Sequence, residues 1–280
     1  MGTRERWTPS GVRLRRVSAG DGRRNWLFVP GGPGLGSESV EGLARAAGVP
    51  GAVWLVDLPG DGSNRGVPGV PAEPYLHWPD VLVEAAEAVE RPVMVGHSTG
   101  GMFLLSVPAL EQRLAGLVLV GSAPHAGWRA AFEAWAAEHP LPGLAEAAGR
   151  YAAAPDDDSL RALTLAAAPW SFTPAGLPAG LSLLAGLPYC RAAAAWADDG
   201  FDEGYRARWA PGAVPALVLG GAEDRIVDQG LWQREPAFAG PHVLHRTVPH
   251  AGHFPWVEDP AAVRGAFAEF SVLLDSHPRP

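Results

Sequence analysis

The segment Pro92–Phe103, PVMVGHSTGGMF, joins an apolar run to a serine with glycines on both sides. The three residues after Pro92 are typical of a buried strand, and the following GMFLLSVPAL is typical of a helix. Gly96 and Gly100 lie two residues before and two residues after Ser98, which gives the pattern G-x-S-x-G. The pattern predicts a sharp strand-to-helix turn that exposes the serine hydroxyl. A side chain at either glycine would collide with this turn.

Ser98 is the candidate nucleophile, and a nucleophilic serine needs a general base and an acid that orients the base. In turns of this kind the chain order is serine, acid, histidine. Asp224 follows an apolar run in LVLGGAEDRIV, and His253 lies in a glycine-containing loop in VPHAGHFPWVEDP. We therefore assign Asp224 as the acid and His253 as the base. The alternatives are Glu223 or Asp228 for the acid and His250 for the base.

Two backbone amides are candidates for binding an oxyanion. The predicted helix begins directly after Ser98, so its positive end and the amide of Thr99 face the reaction centre. The second donor is expected in FVPGGPGLGSE, where glycines allow the backbone to turn an amide inward. We assign Gly32 N–H as that donor. The loop is no nucleotide-phosphate loop, because it has no lysine and lacks the G-x-G-x-x-G spacing.

Short apolar runs bounded by glycine and proline recur along the chain and alternate with helical segments such as LHWPDVLVEAAEAVE. Continuous apolar runs are typical of strands buried on both faces, so the alternation predicts an α/β fold with a parallel sheet. The predicted strands lie in Asn25–Gly32, Ala52–Gly60, Pro92–Ser98, Leu114–Pro124, Val214–Asp224 and, more weakly, His242–Gly252.

The region from residue 125 to residue 210 interrupts this alternation. It contains no convincing strand, and its apolar residues follow helical spacing, with proline- and glycine-rich separators such as PWSFTPAGLPAG. We predict a helical cap over residues 125–210, inserted into a core domain formed by residues 1–124 and 211–280.

The composition excludes several classes of function. The 280 residues carry a formal charge of −8, which disfavours a nucleic-acid partner. All 22 basic residues are arginine, so lysine Schiff-base chemistry is excluded. The single cysteine, Cys190, allows no intramolecular disulfide and no cysteine cluster for zinc. No secretory signal and no apolar run of about 18 residues occurs, so we expect a cytoplasmic protein without a membrane partner.

From about Arg24 to Phe270 the chain resembles the α/β-hydrolases. PGGPG resembles the HGGPG loop of the proline iminopeptidase-like branch, with Pro30 in place of the usual histidine. VDLPGDGSN resembles the D-x-P-G-x-G-x-S turn, with Asp61 where histidine is common and Asn64 replacing the usual serine. GHSTGG, GAEDRIV and AGHFPWVEDP match the nucleophile, acid and base segments. The resemblance implies a mostly parallel eight-stranded sheet flanked by helices, a helical cap inserted after the sixth strand, and no cofactor.

The resemblance also implies a small-molecule substrate and a serine hydrolase that forms an acyl-enzyme. We expect an apolar ester, thioester, lactone or related acyl compound of small or medium size. The alternatives are an aminopeptidase of the proline iminopeptidase type, a non-hydrolytic lyase or tailoring enzyme, and a ligand-binding receptor on the same scaffold. The expected lining of an apolar substrate pocket is His97, Trp128, Trp135, Trp170 and Trp196. The acidic residues of WADDGFDEGY, namely Asp198, Asp199, Asp202 and Glu203, are expected to form a solvated face.

Overall fold

A single sheet of eight strands organises the chain in the computed structural model, which describes residues 4–67 and 70–277. Residues 1–3, 68–69 and 278–280 of the predicted core domain lie outside the described residues. The strands are β1 (Glu5–Trp7), β2 (Arg13–Ala19), β3 (Asn25–Val29), β4 (Ala52–Asp57), β5 (Pro92–His97), β6 (Gly116–Val120), β7 (Ala216–Gly221) and β8 (Val243–Val248). Their spatial order is β1-β2-β4-β3-β5-β6-β7-β8.

The sheet is parallel from β4 to β8, and only β1 and β2 run antiparallel at one edge. The predicted α/β fold with a mostly parallel eight-stranded sheet is thus confirmed. The six apolar runs correspond to β3 through β8. The sequence patterns did not identify β1 and β2, because these edge strands are rich in arginine and largely exposed on one side. Arg16 of β2, for example, lies over the ring of Trp54 at 5.7 Å.

Helices cover both faces of the sheet. Along β3, Trp26 and Phe28 pack in one cluster and Leu27 and Val29 in another, as expected for a strand whose side chains alternate between faces. The helices are α1 (Glu41–Ala46), α2 (Trp78–Glu87), α3 (Thr99–Leu105), α4 (Gly127–Glu138), α5 (Leu144–Ala153), α6 (Asp157–Ser171), α7 (Leu177–Ala185), α8 (Arg191–Trp196), α9 (Asp202–Gly204), α10 (Pro255–Glu258) and α11 (Pro260–Ser276). Phe267 and Phe270 of α11 belong to the first cluster, and Trp78 of α2 to the second.

Helices α4 to α9 all lie in the chain between β6 and β7, where the helical cap is predicted. A π-helical segment, Ala197–Phe201, joins α8 to α9. One detail of the prediction is wrong, because α6 continues through Pro169 to Ser171 instead of ending before the proline. Pro169 lies in the last turn, where its missing N–H affects few helical hydrogen bonds. Among the described residues, no helix combines the length and apolar character needed to cross a lipid bilayer.

The turn after β4 contains a buried carboxyl group. Asp61 is 2% exposed, and its Oδ1 accepts a hydrogen bond of 2.7 Å from the amide of Gly62. Its Oδ2 has no hydrogen-bond partner among the described residues. Burial raises the pKa of Asp61 to about 6, and the amides of Gly62 and Gly34 only partly oppose this. The charged form of Asp61 therefore destabilises the folded state near neutral pH.

We expect Asp61→Asn to change how stability depends on pH. The folded-state pKa of Asp61 lies above its ordinary value of 3.8, so its stabilising neutral form is complete below about pH 4. That contribution is lost as pH rises through 6. About two pKa units correspond to about 3 kcal/mol, so wild type should lose up to this much unfolding free energy relative to the variant between pH 4 and 8. Urea unfolding of both proteins across this range checks the expectation, and parallel pH curves would contradict it.

Candidate active site

Ser98 lies at the junction of β5 and α3 in a strained backbone conformation, with φ 50° and ψ −125°. A Cβ atom at Gly96 would overlap the backbone of Gly101, and one at Gly100 would overlap the carbonyl of Pro30. The predicted need for glycine at both positions is confirmed. The strained turn directs the hydroxyl of Ser98 away from the strand end.

His253 and Asp224 complete a hydrogen-bonded chain with Ser98. His253 Nδ1 lies 3.0 Å from Asp224 Oδ2, and its Nε2 lies 3.0 Å from Ser98 Oγ. Because a carboxylate only accepts, Nδ1 carries the hydrogen, and Nε2 is then free to accept the serine proton. The histidine is 5% exposed and the aspartate 9%, while Ser98 is half-buried. The geometry suits proton transfer from the serine to the histidine.

The loop after β7 fixes the Asp224 carboxylate. Its Oδ1 accepts from the amides of Ile226 and Val227, both at 3.0 Å, and Gln229 Nε2 lies 3.4 Å from Oδ2. These donors leave the carboxylate oriented towards the ring of His253. An aspartate held this way can keep the histidine in one tautomer and stabilise its protonated form.

The structure leaves the alternative acids and base outside this chain. The His250 side chain is 94% exposed, and its Nδ1 lies 3.6 Å from Glu223 Oε1 at the surface. Asp228 accepts from the amide of Gly230 and pairs with Arg234. Of the predicted candidates, the structure therefore brings together Ser98, Asp224 and His253.

The loop after β3 lies directly against the nucleophile. A Cβ atom at Gly31 would stand 2.7 Å from Ser98 Cβ, so only glycine allows this approach. Among the described residues, neither the Gly32 amide nor the Thr99 amide donates to a backbone carbonyl. The Thr99 hydroxyl donates to the Gly32 carbonyl at 3.1 Å and so links the two predicted oxyanion donors. Both amides are available to a ligand at Ser98.

His97 occupies a different place from the one predicted. It is 2% exposed, and its ring contacts are with His253, Phe254 and Trp256. Burial, together with the nearby His253, lowers the pKa of His97 well below its usual range. The expectation that His97 lines a substrate pocket is wrong, since the last residue of β5 packs under the base.

The four predicted pocket tryptophans lie in separate environments. Trp196 belongs to an aromatic group with Tyr75, Trp78, Phe103 and Phe201, which surrounds a cavity of about 150 Å³. Trp135 stacks on His139 and lines a cavity of about 540 Å³ that also reaches Asp224. Trp170 packs against Phe132, and Trp128 packs beside Met102 and Tyr205. Because these residues lie on three different helices, the expectation of one pocket lined by all four is wrong.

The acidic run is not uniformly solvated. Asp198, Asp199 and Glu203 are exposed, but Asp202 is 6% exposed and its Oδ1 has no hydrogen-bond partner among the described residues. Burial and the nearby Asp198 raise the pKa of Asp202 to about 7, and Arg129 opposes this. The expectation of a solvated face is therefore wrong for Asp202, which lies just after the π-helical segment.

Sequence reasoning missed the residues that hold the base loop. Glu258 Oε2 accepts from the amide of Gly252 at 2.6 Å, and its Oε1 accepts from the amide and hydroxyl of Thr173 at 2.8 and 2.6 Å. The amide of His253 donates to the Ser171 carbonyl at 2.8 Å. Glu258 lies within the matched segment AGHFPWVEDP, but no spacing rule singles it out. The base loop is thus tied to the end of α6.

The geometry supports nucleophilic attack by Ser98 on a carbonyl, with His253 as base and two amides facing the developing oxyanion. Within residues 4–67 and 70–277, no group of three or more His, Cys, Asp or Glu side chains is placed to hold a metal ion.

Comparison with known proteins gives a family and a set of similar folds. A sequence model described as the alpha/beta hydrolase family matches residues 26–266. A proline iminopeptidase-related protein from Thermus thermophilus is 25% identical, with a TM-score of 0.68 over 99% of this chain and 100% of that one. This similarity confirms the resemblance to the proline iminopeptidase-like branch. No curated protein matches the sequence.

Two further solved structures share the fold at lower identity. A thermophilic esterase from Thermogutta terrifontis is 21% identical, with a TM-score of 0.67 over 95% of each chain. A proline iminopeptidase from Mycobacterium smegmatis is 22% identical, with a TM-score of 0.65 over 98% of each chain. The fold therefore extends over nearly the whole chain, and it occurs in proteins named for different substrates.

We expect the reactivity of Ser98 to depend on His253 and not on His250. Without its hydrogen-bonded base a serine hydroxyl is a weak nucleophile, so His253→Ala should slow labelling by a fluorophosphonate at least ~100-fold. Asp224→Asn should slow labelling strongly as well, because it removes the oriented acceptor for Nδ1–H. The matched control is His250→Ala, which changes an exposed histidine in the same loop. Equal loss of labelling in His250→Ala would show that the base is misassigned.

Proposed function

Because the chain belongs to the alpha/beta hydrolase family, we propose that it is a serine hydrolase of apolar acyl compounds. The substrate class is a small or medium ester, thioester, lactone or related acyl compound, cleaved through an acyl-enzyme. The observation that carries the proposal is the chain of hydrogen bonds from Asp224 through His253 to Ser98, with heavy-atom distances of 3.0 Å. The esterase among the similar folds agrees with this choice.

The proposed reaction has two halves. Ser98 Oγ attacks the substrate carbonyl while His253 Nε2 takes its proton, and the carbonyl oxygen becomes an oxyanion that the amides of Gly32 and Thr99 bind. Each such donor contributes about 3 kcal/mol to lowering the barrier. The protonated histidine then gives its proton to the leaving alkoxide or thiolate. In the second half a water molecule attacks the acyl-enzyme, with His253 again acting as base and then as acid.

Apolar residues beside the catalytic chain support an apolar acyl group. Met102, one helical turn after Ser98, packs with Ala123, Tyr205 and Val227, and Val227 also donates to Asp224. Such a surface favours neutral carbon chains or rings, whose burial contributes about 25 cal/mol per Å².

A second candidate, an aminopeptidase of the proline iminopeptidase type, is favoured by Asp202. A buried carboxylate with an unpaired oxygen is costly, and a substrate ammonium group would pair with it. The pKa of Asp202, raised to about 7, reduces its charge at neutral pH, however, which weakens this attraction. We rank the esterase first for that reason. The complete catalytic chain also disfavours a receptor without catalysis and a lyase that forms no acyl-enzyme.

We expect Ser98→Ala to abolish hydrolysis of p-nitrophenyl butyrate while the folded structure is kept. The change removes the nucleophile but little packing, because Ser98 is half-buried at the surface of the turn. The measurement is the rate of p-nitrophenol release, with circular dichroism as the control for folding. Activity near the wild-type level in a folded variant would contradict the assignment of Ser98.

We expect kcat/KM for the butyrate ester to exceed that for proline p-nitroanilide by at least ~100-fold. An apolar ester suits the surface around Met102, whereas the anilide requires a full charge on Asp202. Asp202→Asn tests the second candidate directly, with Asp199→Asn as the matched control at an exposed position. Faster anilide cleavage that collapses in Asp202→Asn but not in Asp199→Asn would instead establish an aminopeptidase.

A further inference from the structure

His97 is a buried titratable side chain that takes no part in the proposed reaction. It ends β5, directly before the nucleophile, and only 2% of it is exposed. An ionisable side chain is rarely buried so completely without a specific partner. Its partner is the backbone of the proposed base.

One hydrogen bond joins His97 to that backbone. His97 Nε2 lies 3.0 Å from the carbonyl oxygen of His253. A carbonyl can only accept, so Nε2 must carry the hydrogen and donate it. Burial and the neighbouring His253 favour the neutral form of His97 and lower its pKa. His97 is therefore a neutral donor with one fixed tautomer.

The ring of His97 also supports the imidazole of the base. The two ring centroids are 4.9 Å apart, and on its other sides His97 meets Phe254 at 4.9 Å and the edge of Trp256 at 4.7 Å. Trp256 thus packs on His97 from a direction that does not involve the hydrogen bond to His253.

We propose that His97 is a positioning residue for the base: its Nε2–H holds the His253 carbonyl and so keeps His253 Nε2 within reach of Ser98 Oγ. This inference rests on the proposed function, because it concerns the same catalytic chain. His97 contacts neither substrate nor reacting atoms in this arrangement. Its loss should therefore lower kcat, which depends on proton transfer, and leave KM almost unchanged.

The neutrality of His97 follows from the same arrangement. During proton transfer His253 becomes a cation, and a second cation 4.9 Å away would oppose that step. A residue that donates a hydrogen bond without ever carrying charge satisfies this requirement. Glutamine also does so, because its amide nitrogen extends about as far from the backbone as Nε2 of histidine. Asparagine is one bond shorter, and phenylalanine fills the space without a donor.

The experiment compares His97→Gln, His97→Phe and His97→Asn with wild type and with Trp256→Phe. For each protein, kcat and KM for p-nitrophenyl butyrate and the rate of fluorophosphonate labelling are measured, with folding checked by circular dichroism. We expect kcat and labelling to fall at least ~tenfold in the phenylalanine and asparagine variants, with KM within about twofold of wild type. Glutamine should restore both rates to within about threefold. Trp256→Phe, which removes packing but not the donor, should stay within about threefold as well.

The outcomes separate the positioning role from the proposed function. Wild-type labelling and kcat in folded His97→Phe, or equal losses in His97→Gln and His97→Phe, would overturn the positioning role. If His97→Phe does not fold, the glutamine and asparagine pair decides in the same way. A wild-type protein that hydrolyses no ester, but whose labelling still follows the presence of a donor at residue 97, would reject the proposed substrate class and keep the positioning role.

Discussion

The strained backbone of Ser98 is the constraint on which the rest of the site depends. Holding a serine at φ 50° requires that surrounding structure over-determine it, and three segments do so. The β3 loop lies against it at Gly31, the start of α3 packs under it through Gly100, and β5 delivers it through Gly96. Each of these approaches excludes a Cβ atom. The central parallel strands therefore act as a rigid frame that keeps one hydroxyl at a fixed point above their carboxyl ends.

The base is held differently, through its main chain. His253 lies in a loop without regular structure, yet its amide, its carbonyl and the amide before it all have partners. These partners are the Ser171 carbonyl, the ring of His97 and the carboxylate of Glu258. They come from the end of α6, the end of β5 and α10, which are remote from one another in sequence. A loop so fixed can place an imidazole as accurately as a strand would, and it leaves the side chain free to exchange protons.

The sequence predicted those parts of the molecule that local chemistry determines. Continuous apolar runs mark β3 to β8 because both faces of these strands are buried, and the spacing around Ser98 marks the turn. The structure brings Asp224 and His253 to Ser98, and their roles stay a prediction, as does the division into core and cap domains. Strands β1 and β2 escaped notice because arginine stems replace apolar side chains at the sheet edge. The sites of the four tryptophans, the burial of Asp202 and the function of Glu258 depend on how helices between β6 and β7 pack, and no short-range pattern encodes that packing.

The bond between the His253 amide and the Ser171 carbonyl has a consequence for traffic into the site. Since Glu258 bridges the same loop to Thr173, lifting the end of α6 from the sheet would remove two anchors of the base at once. The helical segment and the base thus form an interlock, in which a wide-open entrance and a competent imidazole exclude each other. Molecules must then pass through gaps between helices, by small side-chain displacements, while the end of α6 stays seated.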